Sequence, residues 1–196
     1  MLMTPALTFP PELLIKAQGG ALGLKAAIFD VDGVLTDGRI YIGESGEGFK
    51  AFSTLDGQGL KLLDQAGITP IIITGRDSPA VRRRVADLGL THAFYGAKDK
   101  LAVAQPVLDQ LGLQWAEVAA MGDDWPDLPL MMRAGFACAP VGAHAEAKAR
   151  AHYVTQAAGG HGAARECCDL MLIACGRYAE LLNGHLGTLD HAGGAR

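Results

Sequence analysis

The sequence predicts an α/β protein with a doubly wound parallel sheet, that is, a sheet covered by helices on both faces. Short apolar runs of strand length alternate along the chain with longer segments of helical periodicity. The apolar runs are nearly continuous, which is typical of strands buried on both faces of a parallel sheet. The first four runs each end in a cluster of polar residues, where strands of such a sheet deliver functional side chains.

The apolar runs predict strands, and the segments between them predict helices. Gly67 ends the first of these helices, and Pro79 occupies the first position of the second, where proline is tolerated. The predicted strands are 24–30, 69–74, 91–95, 117–121, 136–139 and 153–155. The predicted helices are 57–66, 78–88, 100–111, 127–133, 144–149 and 164–183.

One segment, RIYIGESGEGFKAFS at 39–53, interrupts this alternation directly after the first strand. Its alternating apolar residues on each side of a Gly/Ser/Glu turn predict a β-hairpin. We expect an N-terminal segment over 1–20, with one helix starting near Pro11. We expect a single domain over 21–183 and a flexible tail of small and polar residues over 184–196.

Composition and charge are those of an ordinary soluble protein and argue against several function classes. The chain has 196 residues, enough for one domain, with 49% hydrophobic residues, 19% charged residues and a net charge of −4. It has no Lys/Arg run, so nucleic acid is not an expected partner. No apolar stretch approaches the ~20 residues that span a bilayer, so no membrane association is expected. The first residues lack a basic region, so no signal peptide is expected.

The cysteines indicate the compartment. They form no CxxC pair, and the seven-residue spacing of Cys168 and Cys175 on an apolar helix fits buried free thiols. Adjacent Cys167 and Cys168 have poor geometry for a structural bridge. Free thiols indicate a reducing environment, so we expect a cytoplasmic protein.

The most informative residues are two aspartates at the end of the first apolar run, Asp30 and Asp32. Alternate strand residues point the same way, so both carboxylates can address one small volume. Gly33 then lets the backbone turn away without a Cβ penalty. Two close carboxylates repel each other, so a shared proton or a metal ion must hold them together. By itself, this DxDG segment is compatible with a catalytic site, a calcium loop or chance.

The other strand ends add a hydroxyl, cations and further acids. Ligands of open α/β sheets bind beyond the carboxyl ends of the strands, so these side chains are expected to form one site. Each also has a structural alternative, as a strand end, a helix cap or a solvated loop. The clusters are Asp37 after the first strand, Thr74, Gly75, Arg76 and Asp77 after the second, Lys98, Asp99 and Lys100 after the third, and Gly122, Asp123, Asp124 and Asp127 after the fourth.

In this order, the motifs resemble those of the haloacid-dehalogenase-like phosphatases. The family pattern is DxDG, then Ser/Thr after a hydrophobic strand, then Lys, then GDDxxD, and it matches residues 30–127. The segments DVDGVLTDG, the hairpin, TGRDS and AGGHGAARECCDL are similar to the capless branch of the family, over about residues 20–175. The resemblance implies a Rossmann-like fold without a cap domain and with a hairpin insert after the first strand.

The resemblance also implies a role for each site residue. Asp30 would be the nucleophile that attacks phosphorus, and Asp32 the general acid and base. Mg²⁺ would be bound by Asp30, the main-chain carbonyl of Asp32 and Asp123, with Asp124 or Asp127 orienting these ligands. The substrate would contact Asp32 and four further residues, namely Thr74, Gly75, Arg76 and Lys100. The resemblance selects Lys100 over Lys98 as the lysine that neutralises the phosphoryl group.

The resemblance implies hydrolysis of a sugar-acid phosphate, and 3-deoxy-D-manno-octulosonate 8-phosphate is the favoured substrate. This reaction would belong to lipopolysaccharide precursor synthesis. A nine-carbon sugar-acid phosphate is the alternative substrate. A phosphate-transferring mutase is disfavoured, because the chain has no room for a cap that shelters the phosphoenzyme from water. A non-catalytic assembly module is disfavoured because Asp30, Asp32, Lys100 and Asp123 are all present.

The sequence departs from the family at two positions that concern specificity. Leu55 and His161 stand where relatives often carry basic residues. The remaining candidate contacts for the sugar are Arg76, Lys50, Lys61 and Arg165. The resemblance further implies a homotetramer built on the 39–53 hairpins, whose apolar residues would be buried between subunits.

Overall fold

A parallel sheet of six strands forms the centre of the protein in the computed structural model, which describes residues 6–19, 23–44 and 46–187. The strands run in the order β5-β4-β1-β6-β7-β8, so the chain reverses direction across the sheet beside β1. Functional crevices of α/β sheets lie at such a reversal. The strands are β1 Ala26–Phe29, β4 Thr69–Ile73, β5 His92–Phe94, β6 Val118–Met121, β7 Phe136–Ala139 and β8 Tyr153–Val154, with a separate hairpin of β2 Ile42–Gly43 and β3 Gly46–Glu47.

Helices cover both faces of the sheet, which confirms the doubly wound prediction. Alternate residues of β1 enter two different cores, with Phe29 in one and Ile28 in the other. The first core also holds residues from α1, α2, α3 and α7, and the second holds residues from α4, α5 and α6. The helices are α1 Pro11–Ala17, α2 Thr54–Gln65, α3 Pro79–Leu88, α4 Lys100–Leu111, α5 Leu128–Met131, α6 Ala145–Arg150, α7 Ala163–Ala174 and α8 Tyr178–Leu186.

Two helices differ from the sequence prediction. Helix α2 begins three residues earlier than expected, because the Ser53 side chain accepts a hydrogen bond from the Leu55 N–H and caps the helix. The single helix predicted over 164–183 is wrong, since α7 and α8 are separated at Gly176, whose φ of 74° lies in the left-handed region.

The predicted hairpin is present, but it pairs only four residues. Ile42 lies opposite Glu47 and Gly43 opposite Gly46. Phe52, which was expected to belong to an apolar oligomer surface, instead packs against the first core. The hairpin therefore has a short ladder and a base that is anchored in the domain.

Three of the four cysteines are buried free thiols, as expected, but Cys175 is exposed. It follows the last residue of α7, where the helix ends. Among the described residues, no helix has the length and apolarity needed to cross a membrane.

Both terminal segments are described in part. Helix α1 contacts α7, and the Gln18 side chain donates a hydrogen bond to the Ala174 carbonyl. Helix α8 runs to Leu186, into the range expected to be a tail. Residues 1–5, 20–22 and 188–196 lie outside the described ranges, so the remainder of both terminal predictions falls there.

The loop before α7 packs directly on the loop after β1. A Cβ atom added to Gly159 would lie 1.8 Å from the Gly33 carbonyl oxygen. Buried Asp56 supports the far end of this glycine-rich loop, because it accepts hydrogen bonds from the N–H groups of Gly162 and Arg165. Negative charge at the start of α7 also suits the helix dipole. The segment around Gly159 therefore holds the loop that follows the first strand.

Replacing Gly159 with alanine is expected to destabilise the protein, because the new methyl group has no space against the Gly33 backbone. Overpacking of this kind costs ~1–3 kcal/mol, which corresponds to a fall of ~2–4 °C in Tm per kcal/mol at this chain length. Gly142→Ala is the matched control, because a Cβ atom there meets nothing within 4 Å. Equal melting temperatures for the two variants in differential scanning calorimetry would contradict the packing.

Candidate active site

The ends of β1 and β6 come together at the carboxyl edge of the sheet. The Asp30 N–H donates a hydrogen bond to the Met121 carbonyl at 3.1 Å, so Asp30 lies directly after the last paired residues of the two strands. Gly33 has a φ of 97°, and a Cβ atom there would lie 2.1 Å from an Asp123 carboxylate oxygen. Glycine is needed at this position both for its backbone conformation and for the approach of the β6 loop.

Lys100 connects three elements of the site. It is the first residue of α4 and is 4% exposed, whereas Lys98 is exposed. Its Nζ lies 2.6 Å from Asp30 Oδ1 and 2.5 Å from Asp127 Oδ1. A buried lysine is tolerated when acids pair with it in this way. The geometry therefore places Lys100, rather than Lys98, among the acids.

Asp127 organises the loop after β6. Its Oδ2 accepts hydrogen bonds from the N–H groups of Asp123 and Asp124, at 3.0 and 3.3 Å, while Oδ1 contacts Lys100. Both oxygens therefore already have partners in the protein. The Asp123 carboxylate forms no ion pair with Lys100, and it faces the same volume as the Asp30 carboxylate.

The site has more negative than positive charge. One carboxylate oxygen from each of Asp30, Asp123 and Asp127 lies within 4.8 Å of the others. Lys100 supplies one positive charge against three carboxylates, so the cluster has a net charge of −2 when all three carboxylates are ionised. Oxygen ligands at this spacing suit a hard divalent cation such as Mg²⁺.

Burial and this crowding of acids shift the pKa values of the site. The pKa of Asp30 is raised to about 6, first by burial and then by Asp127, while Lys100 partly offsets the rise. The pKa of Asp123 is raised to about 7, first by burial and then by the charges of Asp30 and Asp127. Burial alone would lower the pKa of Lys100, but Asp30 and Asp127 hold it above the ordinary value. A cation would favour the ionised carboxylates.

The loop after β4 provides a hydroxyl and a guanidinium. Thr74 is buried, and its Oγ1 accepts a hydrogen bond from the Arg76 N–H at 3.3 Å, which leaves its hydroxyl hydrogen free to donate. The Arg76 side chain is 45% exposed, and its Nε lies 4.0 Å from Asp32 Oδ2. Arg76 therefore stands at the rim, beside the second aspartate.

All seven residues expected to form the site line one cleft of about 290 Å³ at the carboxyl edge of the sheet. The cleft is lined by Asp30, Asp32, Gly38, Thr74, Gly75, Arg76, Lys100, Asp123, Asp124, Pro126 and Asp127. The clusters at the ends of β1, β4 and β6 and at the start of α4 thus meet, as the strand-end rule predicts.

Several residues considered as sugar contacts lie elsewhere. Arg165 donates to Asp169 and lines a groove of about 410 Å³ between α2, α7 and α8. Lys61 is exposed on α2 and, within the described ranges, does not line the cleft. The same holds for Leu55 and His161, both exposed. Within a single subunit, the positions of these residues therefore do not support a contact with the sugar.

Sequence reasoning missed Glu47 and gave Lys50 only as a sugar contact. Lys50 Nζ donates to Asp32 Oδ1 at 2.5 Å, and Glu47 contacts Lys50, Arg76 and Ser78. The three-residue spacing of Glu47 and Lys50 was the only sequence signal. Contacts across to the start of α3 depend on tertiary packing, which that spacing does not encode.

Known proteins of similar sequence belong to one family. Residues 94–166 match the family model of haloacid dehalogenase-like hydrolases. The chain is 44% identical to the 3-deoxy-D-manno-octulosonate 8-phosphate phosphatase KdsC of Escherichia coli, over 86% of this chain and 88% of that protein.

Solved structures of such phosphatases have the same fold. The enzyme from Moraxella catarrhalis, in complex with magnesium, phosphate and KDO, superposes with a TM-score of 0.83 at 37% identity, covering 89% of this chain and 98% of that one. The Yersinia pestis enzyme gives a TM-score of 0.81 at 40% identity, covering 86% and 89%. The chain belongs to the haloacid dehalogenase-like hydrolases and, within them, to the family of the 3-deoxy-D-manno-octulosonate 8-phosphate phosphatases.

Proposed function

We propose that this chain is a Mg²⁺-dependent phosphomonoesterase whose substrate is 3-deoxy-D-manno-octulosonate 8-phosphate. The observation that carries the proposal is the cleft in which Asp30, Lys100 and Asp123 surround one small volume, with Asp32 and Thr74 beside it. The E. coli relative and the Moraxella structure with magnesium, phosphate and KDO support it. The products are the free sugar acid, a lipopolysaccharide precursor, and inorganic phosphate.

The reaction proceeds in two steps at Asp30. The Asp30 carboxylate attacks phosphorus, and the bond between phosphorus and the sugar oxygen breaks while Asp32 gives that oxygen its proton. Water then attacks the aspartyl phosphate and loses a proton to Asp32, which releases phosphate and regenerates Asp30. Lys100 keeps Asp30 ionised and ready for attack, because the ammonium lies 2.6 Å from its carboxylate.

Asp30, Asp123 and the Asp32 carbonyl would hold Mg²⁺, which would supply the positive charge that a dianionic phosphate needs to enter an acidic cleft. These ligands suit Mg²⁺, because carboxylate oxygens converge here and their negative charge exceeds the positive charge of Lys100 by two. The free hydroxyl of Thr74 donates to a phosphoryl oxygen, and the loop at Gly75 lets the phosphate approach the backbone.

Arg76 is placed to bind a substrate that carries a carboxylate. Its guanidinium is 45% exposed at the rim and, among the described residues, makes one close contact, from Nη2 to Glu47 at 3.0 Å. The remaining donors can bind a carboxylate in the bidentate manner that arginine favours. The nine-carbon sugar-acid phosphates also carry a carboxylate, so they are the alternative substrates.

The hairpin supports a homotetramer as the working assembly. Ile42 is 70% exposed and Phe49 61% exposed, and Phe49 stacks on Tyr41 at 4.6 Å between ring centroids. A cluster of exposed apolar side chains beside an open cleft is typical of a protein interface. Copies of the hairpin from neighbouring subunits would bury these residues and cover the open cleft.

The cytoplasm is the proposed location. The three buried thiols, at Cys138, Cys167 and Cys168, form no disulfide, which agrees with a reducing compartment. The substrate is also an intermediate of intracellular sugar-acid synthesis under this proposal, and the protein would meet it there.

The function is tested by phosphate release from a panel of sugar phosphates with Mg²⁺. The panel contains the octulosonate 8-phosphate and the neuraminate and deaminoneuraminate 9-phosphates. We expect the octulosonate ester to have the highest kcat/KM. A preference for a 9-phosphate would select the alternative substrate, and no release from any ester by folded protein would reject the enzymatic proposal.

Asp30→Asn is expected to lower turnover by ~10³-fold or more, because an amide oxygen does not attack phosphorus. The variant should fold, and its Tm at pH 8 should equal or exceed that of the parent, since it removes a crowded charge. Asp64→Asn, at an exposed position on α2, is the control and should retain activity. Near-normal phosphate release by Asp30→Asn would show that the assigned nucleophile is wrong.

Ile42→Asp is expected to dissociate the tetramer, because a charge replaces a side chain proposed to be buried between subunits. Light scattering coupled to size exclusion should show a smaller species with reduced activity. Val141→Asp is the control, since Val141 is exposed and lies outside the hairpin. A fully active monomer of the unaltered protein would contradict the proposed assembly.

A further inference from the structure

The hairpin contributes a buried cation to the second aspartate. Lys50 Nζ donates to Asp32 Oδ1 at 2.5 Å, and the Lys50 side chain has no exposed surface. Withdrawing an ammonium group from water is unfavourable unless acids pair with it. The contact therefore ties the folded position of the hairpin to the position of the Asp32 carboxylate.

Glu47 fixes Lys50 from the other side. Its Oε1 lies 3.6 Å from Lys50 Nζ and accepts a hydrogen bond from Ser78 Oγ at 2.6 Å. Its Oε2 accepts a hydrogen bond from Arg76 at 3.0 Å. Ser78 precedes α3, so Glu47 anchors β3 of the hairpin to the loop after β4. Lys50 is held by the body of the domain as well as by its own backbone.

This arrangement makes the two oxygens of Asp32 different. Oδ1 is occupied by Lys50, whereas Oδ2 has no hydrogen bond within the described ranges and only the Arg76 Nε at 4.0 Å. A lysine ammonium that donates to Oδ1 cannot accept a proton, so the transferable proton belongs on Oδ2. The orientation of the carboxylate decides whether Oδ2 reaches the leaving oxygen.

We propose that Lys50, held in place by Glu47, is a positioning residue that orients Asp32 so that Oδ2 exchanges the proton with the leaving group and the water. The proposal rests on the proposed function, in which Asp32 is the general acid and base. In the first step, the proton moves from Oδ2 to the sugar oxygen as the P–O bond breaks. In the second, Oδ2 takes a proton from the attacking water.

The leaving group separates positioning of Asp32 from a general structural role. A nitrophenolate leaves phosphorus without needing a proton, whereas a sugar alkoxide is a poor leaving group that must be protonated. A misplaced Asp32 should therefore slow hydrolysis of an alkyl phosphate far more than that of p-nitrophenyl phosphate. A distorted cleft would slow both substrates by similar factors.

The test compares Lys50→Met with the parent on the octulosonate 8-phosphate and on p-nitrophenyl phosphate. For the sugar phosphate we expect kcat to fall by ~10–100-fold with KM little changed, because general acid–base catalysis contributes ~10²–10⁴-fold. For the nitrophenyl ester we expect a change below ~3-fold in the step before water attack, measured as the burst of nitrophenol. Lys50→Arg should restore part of the loss, and Lys98→Met, at an exposed lysine, should change neither substrate.

Glu47→Gln provides a second route to the same result if Lys50→Met folds poorly. It should show a smaller loss with the same preference for the sugar phosphate, while Glu44→Gln, at an exposed position in the same hairpin, should not. Equal losses on both substrates, a rise in KM alone, or no loss in either variant would overturn the positioning role.

A double-mutant cycle distinguishes failure of this inference from failure of the proposed function. Lys50→Met should add no further loss in an Asp32→Asn background, because the two residues act through one proton transfer. Additive losses would overturn the positioning role alone. If Asp32→Asn itself slows neither ester, the assigned acid and base is wrong, and the positioning role is rejected with it.

Discussion

The ion triad of Lys100 with Asp30 and Asp127 is the interaction on which the rest of the site depends. It joins the end of β1, the start of α4 and the loop after β6 through contacts of 2.6 and 2.5 Å. Asp127 can then orient the N–H groups of the β6 loop, and that loop presents Asp123 to the same volume. Losing the lysine would leave buried acids unpaired, which is far costlier than losing an exposed ion pair.

Close backbone packing keeps this triad in register. Gly33 admits the Asp123 carboxylate, and Gly159 admits the Gly33 carbonyl, so three loops stack in direct contact. Side chains at either glycine would separate the layers. The loop after β1 is therefore held from the cleft side by charge and from the far side by backbone contacts.

The strand-end clusters could be predicted from the sequence, because the apolar strands determine where those residues fall, whereas the selection of Lys100 over Lys98 came from the family resemblance. The cap at Ser53 and the break at Gly176 were missed, since a serine or glycine inside an apolar segment has several possible roles. The contact of Lys50 with Asp32, and that of Glu47 with Lys50, were not predictable. Their contacts depend on how a short hairpin of two paired positions folds back on the domain.

The excess negative charge of the cleft is tested most directly by the pH dependence of stabilisation by Mg²⁺. The pKa values of Asp30 and Asp123 are raised to about 6 and about 7 in the folded protein. Without metal, the protonated forms of both groups therefore stabilise the folded protein at low pH, and this stabilisation is lost as the pH rises through those values. Mg²⁺ binds the ionised forms, so its stabilising effect should grow over the same range.

The measurement is the melting temperature with and without Mg²⁺ between pH 5 and pH 8, for the parent chain, Asp123→Asn and the exposed-site control Asp64→Asn. We predict that the rise in Tm caused by Mg²⁺ is small at pH 5 and increases towards pH 8 in the parent and the control. It should be largely lost in Asp123→Asn. A rise that is the same at both pH values, or that survives intact in Asp123→Asn, would contradict the account.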